Sequence, residues 1–144
     1  MLEFHLVLDT PPDTWDTSIS LPVDKRIKSR LKVTLDNGQQ AGLFLPRGDI
    51  VRHGQCIEST CGVVVQIQSA PEPVSSIYES DSFLLMRIAY HLGNRHVPLE
   101  IGMEFVRYQS DYVLDEMVEK LGGTITHENT PFEPEAGAYH PHSH

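Results

Sequence analysis

From Val74 to His127 the chain reads VSSIYESDSFLLMRIAYHLGNRHVPLEIGMEFVRYQSDYVLDEMVEKLGGTITH, and the fold class follows from how the rhythm of its apolar residues changes. Val74 to Tyr78 reads as a strand. Ser80 or Asp81 then offers a side-chain oxygen to cap a helix whose Phe83, Leu84, Ile88 and Leu92 recur at helical spacing until Gly93. Val97 to Ile101 and Met103 to Val106 are short apolar runs around Gly102, which predicts two strands. Ser110 is placed to cap a second helix, whose Val113, Leu114, Met117, Val118 and Leu121 form one stripe ended by Gly122-Gly123. Thr124 to His127 closes as a strand. The order β-α-β-β-α-β is that of the ferredoxin-like split βαβ unit.

Upstream, the period is two. Phe4, Leu6 and Leu8 alternate with His5 and Val7, and Leu31, Val33 and Leu35 alternate with Lys32 and Thr34. Asp36-Asn37-Gly38 tolerates positive φ and predicts a hairpin into Ala41 to Leu45. Pro46-Arg47-Gly48-Asp49 supplies the next turn, and Gly54 and Gly62 punctuate further strands that end with Val63 to Ile67. No helical period precedes residue 75. Ser69-Ala70-Pro71-Glu72-Pro73 reads as a linker, since two prolines forbid helix and interrupt a sheet ladder. After Pro131 the periodicity disappears, and prolines and a glycine lead to Tyr139-His140-Pro141-His142-Ser143-His144. The fold expected is α+β: a small all-β N-terminal domain over 1–73, a ferredoxin-like βαββαβ domain over 74–130, and a flexible C-terminal His tail over 131–144.

At 144 residues, two domains of about 70 are each marginal alone, so help from a partner subunit is expected. The net charge is −9, and it is uneven: residues 1–73 hold seven Lys and Arg against nine Asp and Glu, residues 74–144 four against eleven. Six of the eight histidines lie in that acidic second half. Such a balance disfavours nucleic acid, whose phosphates need clustered cations, and favours metal cations or basic protein surfaces. No apolar run approaches the ~18 residues of a membrane span, and Met1 to His5 has no secretory-signal pattern. A cytoplasmic protein is expected, with Cys56 and Cys61 as structural thiols rather than a disulfide framework.

The tail His140, His142 and His144 is the strongest local signal, because a flexible chain can rotate each imidazole toward one ion. His96 is the second: it follows the helix stop in Gly93-Asn94-Arg95-His96, where a side chain can project. One histidine cannot hold a metal selectively, but a ligand near the axis of a homodimer is presented twice. His91 reads as half-buried and structural, His127 as a strand-end residue near the tail, and His5 and His53 as surface. Enzyme motifs are scarce, with no GxSxG, Walker loop, HExxH or GxGxxG. Glu100 with Glu104, and Asp115 with Glu119, read as solvated surface rather than as acid and base.

Ala89-Tyr90-His91-Leu92-Gly93-Asn94-Arg95-His96, Val97-Pro98-Leu99, Pro131-Phe132-Glu133-Pro134-Glu135 ahead of the His tail, and Gly42 to Gly48 together resemble the UreE family of urease accessory proteins. The resemblance implies a cytoplasmic nickel metallochaperone and no enzyme. It implies an N-terminal domain that contacts partner proteins and a second domain that dimerises and binds metal. His96 falls on the family's interfacial ligand, and the tail histidines fall where the family's His-rich region completes that site. The receiver it implies is the GTPase UreG, within the complex that loads apo-urease. Ser110, Asp111 and Tyr112 stand where some members carry further histidines, and the tail is short, which favours few sites over storage. Imidazole also suits Zn(II) and Cu(II), so Ni(II) rests on the resemblance. A protein-interaction scaffold with a metal-stabilised dimer is the alternative, and a metal-dependent hydrolase lacks a visible acid or base beside the metal.

Overall fold

The computed structural model describes residues 1–46 and 50–137, which divide into two compact units between Ala70 and Pro71. Arg47, Gly48 and Asp49 of the expected turn lie outside the described residues. Among the described residues no helix is long and apolar enough to cross a membrane.

The first unit is a six-stranded mixed sheet in the order β2-β6-β5-β1-β4-β3. Its strands are β1 (Leu2–Val7), β2 (Thr17–Leu21), β3 (Arg30–Thr34), β4 (Gln40–Phe44), β5 (Cys56–Ser59) and β6 (Val64–Ser69). The Asp36-Asn37-Gly38 hairpin forms as expected, with Gly38 at φ 92° and β3 antiparallel to β4. Phe4, Ile19, Leu21, Leu43, Ile57, Val65 and Ile67 make the core. The alternation expected along β1 breaks after Phe4: the pairing with β5 shifts between Phe4 and Leu6, and Leu6 is left exposed. One extra residue in a ladder moves every later side chain to the other face.

A single helical turn, α1 (Val23–Arg26), stands where no helix was expected, because four residues are too few to show a period. It is held by the buried Arg26, which donates to Leu21 O at 3.0 Å, Val51 O at 3.2 Å and Ser69 Oγ at 2.9 Å. Cys56 is buried, which pushes its thiol pKa up, and Cys61 is exposed; neither is in a disulfide.

The second unit contains β7 (Pro71–Tyr78), α2 (Ser82–Asn94), β8 (Glu100–Gly102), β9 (Phe105–Gln109), α3 (Tyr112–Leu121) and β10 (Thr126–Pro131). They form a four-stranded antiparallel sheet in the order β10-β7-β9-β8. Ile77, Val106 and Tyr108 of the sheet pack with Ile88 and Leu92 of α2 and Leu114 and Val118 of α3.

Several boundaries differ from the sequence reading, each for a local reason. The expected linker is the end of β6 and the start of β7, with only Ala70 between them. Pro73 C=O accepts from Ser110 N, just past the end of β9, so the missing N–H of Pro73 faces the side where β9 has already ended. Pro71 has the same parity, and neither proline costs a ladder bond. Pro98 shortens the expected strand to Glu100–Gly102, and Met103-Glu104 form the turn, with Glu104 at φ 59°. A Cβ at Gly102 would come within 2.0 Å of the Phe105 ring, so any larger residue there would have to displace that ring. Asp111, not Ser110, caps α3, its Oδ1 accepting from Val113 N at 2.9 Å and Leu114 N at 3.1 Å.

The expected flexible tail from 131 is the largest correction. β10 runs through Pro131, Phe132 is fully buried, and Pro134 is buried. Glu133 N donates to Glu100 Oε1 at 2.9 Å and Glu135 N to Leu99 O at 2.8 Å. Residues 132–135 therefore lead from β10 at one edge of the sheet to β8 at the other. A single buried aromatic and two hydrogen bonds have no period for a sequence pattern to reveal.

Candidate metal centre

α2 begins at Asp81, whose carboxylate accepts from Phe83 N at 3.0 Å and Leu84 N at 3.3 Å. Its end is less ordinary. The helix runs through Gly93 to Asn94, Arg95 is the C-cap, and the left-handed position beyond falls on His96, at φ 58°. His96 N donates to Gly93 O at 3.0 Å. α3, by contrast, uses Gly122 at φ 105° for its left-handed end. Glycine is the usual residue there because a Cβ costs roughly 1–2 kcal/mol in this conformation. A histidine held in it is strained, and such strain concentrates at functional positions.

The left-handed turn leaves His96 exposed at the carboxyl end of α2. The helix dipole is negative at that end and favours a cation. Along the same helix Phe83, Met86 and Tyr90 are each about two-thirds exposed and share a face by their i, i+3, i+7 spacing. His91 is half-buried, as expected, and sits edge-on to Tyr90 at 5.1 Å. The Glu135 to Leu99 hydrogen bond fixes the approach to the tail three residues from His96.

The other histidines divide. His127 Nε2 meets Asp115 Oδ2 at 2.7 Å, while Tyr108 donates to Asp115 Oδ1 at 2.5 Å. Burial raises the Asp115 pKa, but the hydrogen bonds with Tyr108 and His127 outweigh it and hold the carboxyl below its usual value. The Tyr108 hydroxyl is pushed up by burial and by that carboxylate. Asp115 is thus not the solvated acid expected, and neither is Glu100, which pairs with Arg107 at 3.4 Å. Glu104 and Glu119 are exposed. His5 stacks on Phe44 at 5.1 Å, and His53 Nδ1 accepts from Ser69 N at 3.0 Å. His140, His142 and His144 lie outside the described residues, and among the described residues no three His, Cys, Asp or Glu side chains converge as a ready metal cage.

Sequence reasoning missed the anchoring of 132–135 and the Tyr108–Asp115–His127 chain. The apolar Phe132 amid polar neighbours is the one signal that was there to be read; the carboxylate partners came together only through strand order.

The chain thus comprises two sheet-based units, the second of which presents the exposed His96 at the end of a helix with an exposed apolar face. The UreE urease accessory protein N-terminal domain profile matches residues 4–70, and the corresponding C-terminal domain profile matches residues 72–144. The chain belongs to the UreE family of urease accessory proteins. A urease accessory protein UreE of Tolumonas auensis is 61% identical over 124 residues, 85% of this chain and 66% of that protein. One from Pseudomonas putida strain W619 is 54% identical over 134 residues, covering 91% and 83%. One from Proteus mirabilis is 50% identical over 122 residues, covering 85% and 76%. The relatives are named accessory proteins, which is consistent with a role in urease maturation and with the absence of enzyme motifs.

Proposed function

We propose that this chain is a cytoplasmic nickel carrier for urease maturation, working as a homodimer with one Ni(II) held between two His96 side chains. His140, His142 or His144 from either subunit closes the coordination, and the ion passes to the GTPase UreG within the complex that loads the urease apoprotein. In this reading the second unit is a ferredoxin-like domain, its strand order being fourth, first, third, second along the chain. The first unit contacts partner proteins.

The observation that carries the reading is the hydrogen bond from Glu135 N to Leu99 O. Five residues separate Glu135 from His140, a reach of about 17 Å, and three separate Leu99 from His96, at most about 10 Å. The tail imidazoles can therefore meet His96 without unfolding anything. The exposed Phe83, Met86 and Tyr90 beside that loop supply an apolar face that a second copy would cover, bringing two His96 residues together. Imidazoles accept Ni(II), Zn(II) and Cu(II) alike, so selectivity must come from geometry and supply. A site half-built from a tail gives up its ion stepwise when a partner offers ligands.

Calorimetry with nickel tests this on the intact protein, on His96→Ala and on a chain ending at Ala138. Tight binding should vanish in the first variant and weaken in the second. Unchanged affinity in His96→Ala refutes the interfacial site. Affinity should also fall as pH drops through about 6.5, where imidazoles take up protons.

A further inference from the structure

β3 is an outermost strand of the first unit's sheet, paired only with β4. Ser29 O accepts from Leu45 N and Leu35 N donates to Gln39 O, each at 2.8 Å, and the register between them is regular. The backbone groups of Leu31 and Val33 therefore point to β4, and those of Arg30, Lys32 and Thr34 point outward. Such an edge can take an added strand.

The face beside this edge is not flat. Gly42 pairs with Lys32 on one side and with Glu3 on the other. With no side chain at Gly42, a hollow of about 570 Å³ opens there, lined by Glu3, Arg30, Lys32 and Phe44. Arg30 lies over the Phe44 ring at 5.7 Å. Among the described residues neither Arg30 nor Lys32 has a carboxylate partner, although the chain carries a net charge of −9. Two cations without a carboxylate partner stand along the open strand, at the near side of a largely apolar hollow whose far side carries Glu3.

We propose that β3 receives an extended acidic segment of a partner protein. The segment's backbone pairs with Arg30, Lys32 and Thr34. One carboxylate on its open face stands opposite Arg30 and pairs with it, and a second, opposite Thr34, reaches Lys32 on the diagonal. An aromatic side chain between them, opposite Lys32, packs on the Lys32 stem one strand spacing away, about 4.8 Å, at the near wall of the hollow. The alternate-residue pattern acidic, aromatic, acidic follows from the period of two. The proposal deepens the assignment of partner contact to the first unit. A nucleic acid would also meet the two cations, but it has no use for unpaired strand groups.

The test is a titration of the isotope-labelled full chain, followed by amide resonances. Its probe is the blocked peptide Thr-Glu-Thr-Phe-Thr-Glu-Thr, with a Lys-for-Glu version and a single-stranded oligonucleotide as comparisons. The expected result is perturbation centred on the Arg30, Lys32 and Thr34 amides, with slowed hydrogen exchange there. Arg30→Glu with Lys32→Glu should weaken binding at least tenfold, and so should Phe→Ala in the peptide. The proposal is overturned if millimolar peptide shifts nothing, if the lysine peptide or the oligonucleotide binds as well, or if charge reversal has no effect. Trp15 fluorescence confirms that the variant's first unit is folded. Nickel calorimetry on the same variant should be unchanged, so loss of metal binding at His96 and loss of binding at β3 report on separate claims.

Discussion

Replacing Arg107 by methionine should cost the second unit much of its stability. Arg107 is 8% exposed and sits on β9, where its guanidinium reaches side chains of all three other strands of the sheet. It donates to Ser76 Oγ and Tyr78 Oη at 2.9 Å each on β7, and lies 3.4 Å from Glu100 Oε2 on β8 and 3.5 Å from Glu128 Oε2 on β10. Its plane also covers Phe105 at 4.6 Å. Methionine keeps much of the apolar stem but leaves Glu100 Oε2, in a carboxylate 18% exposed, and the Oγ of the fully buried Ser76 without the guanidinium, while Glu133 N still donates to Glu100 Oε1. Breaking a buried ion pair from one side costs about 3–5 kcal/mol. Glu128 retains the Tyr78 hydroxyl and partial solvent, which argues for the lower end, about 3 kcal/mol.

A unit of about 70 residues has only about 3–10 kcal/mol in total, so the loss is a large fraction of what holds it folded. The chain reports on its halves separately: its single tryptophan is Trp15, and its five tyrosines are all at or after Tyr78. In urea, the tyrosine-detected transition should move down by 1 M or more at a slope of about 1–3 kcal/mol/M, while the Trp15-detected transition stays. Arg107→Lys keeps charge without the planar fork and should fall between. A tyrosine-detected midpoint for Arg107→Met within about half a molar of the parent refutes the reasoning. The pH dependence follows the same group. Hydrogen bonds from Ser76 and Tyr78, and then the Arg107 charge, hold the Glu128 carboxyl below its usual value. That stabilisation is complete above the unfolded carboxyl pKa of about 4.3 and is lost as pH falls through the lower folded value, and Arg107→Met should flatten this acid limb.

Three further outcomes are expected. His96→Gly should raise the second unit's stability by about 1 kcal/mol, since glycine occupies a left-handed position freely, while nickel affinity falls; destabilisation in urea would contradict the strain at His96. Phe132→Ala should cost about 3–4 kcal/mol and release 132–135, seen as faster hydrogen exchange at the Glu133 and Glu135 amides; exchange unchanged from the parent would show that these bonds do not depend on the buried ring. Asp111→Ala should cost about 1 kcal/mol by uncapping α3, whereas Ser110→Ala should be near neutral, and the reverse ranking by thermal unfolding would restore Ser110 as the cap.

Much of the architecture was legible because it rests on local periodicity. The stripe from Val113 to Leu121, the Asp36-Asn37-Gly38 hairpin and the succession of strands and helices after residue 74 come from side-chain spacing, which the chain carries with it. Boundaries were less legible where one residue decides. Asp111 and Ser110 are both capping types, and only the backbone angle at Asp111 selects it. β2 was missed, although Ser18, Ile19, Ser20 and Leu21 alternate, because the run is short and its partner β6 is far away in sequence.

The candidate site divides in the same way. That an imidazole follows a helix, and that more imidazoles end the chain, is determined by the sequence alone, because residue identity and helical spacing are local properties. The left-handed turn that exposes His96, and the anchoring of Glu135 against Leu99, were decided by the tertiary structure. A sheet brings together strands that are distant in the chain, and burial of Phe132 and the pairing of Glu100 with Arg107 exist only once they have met.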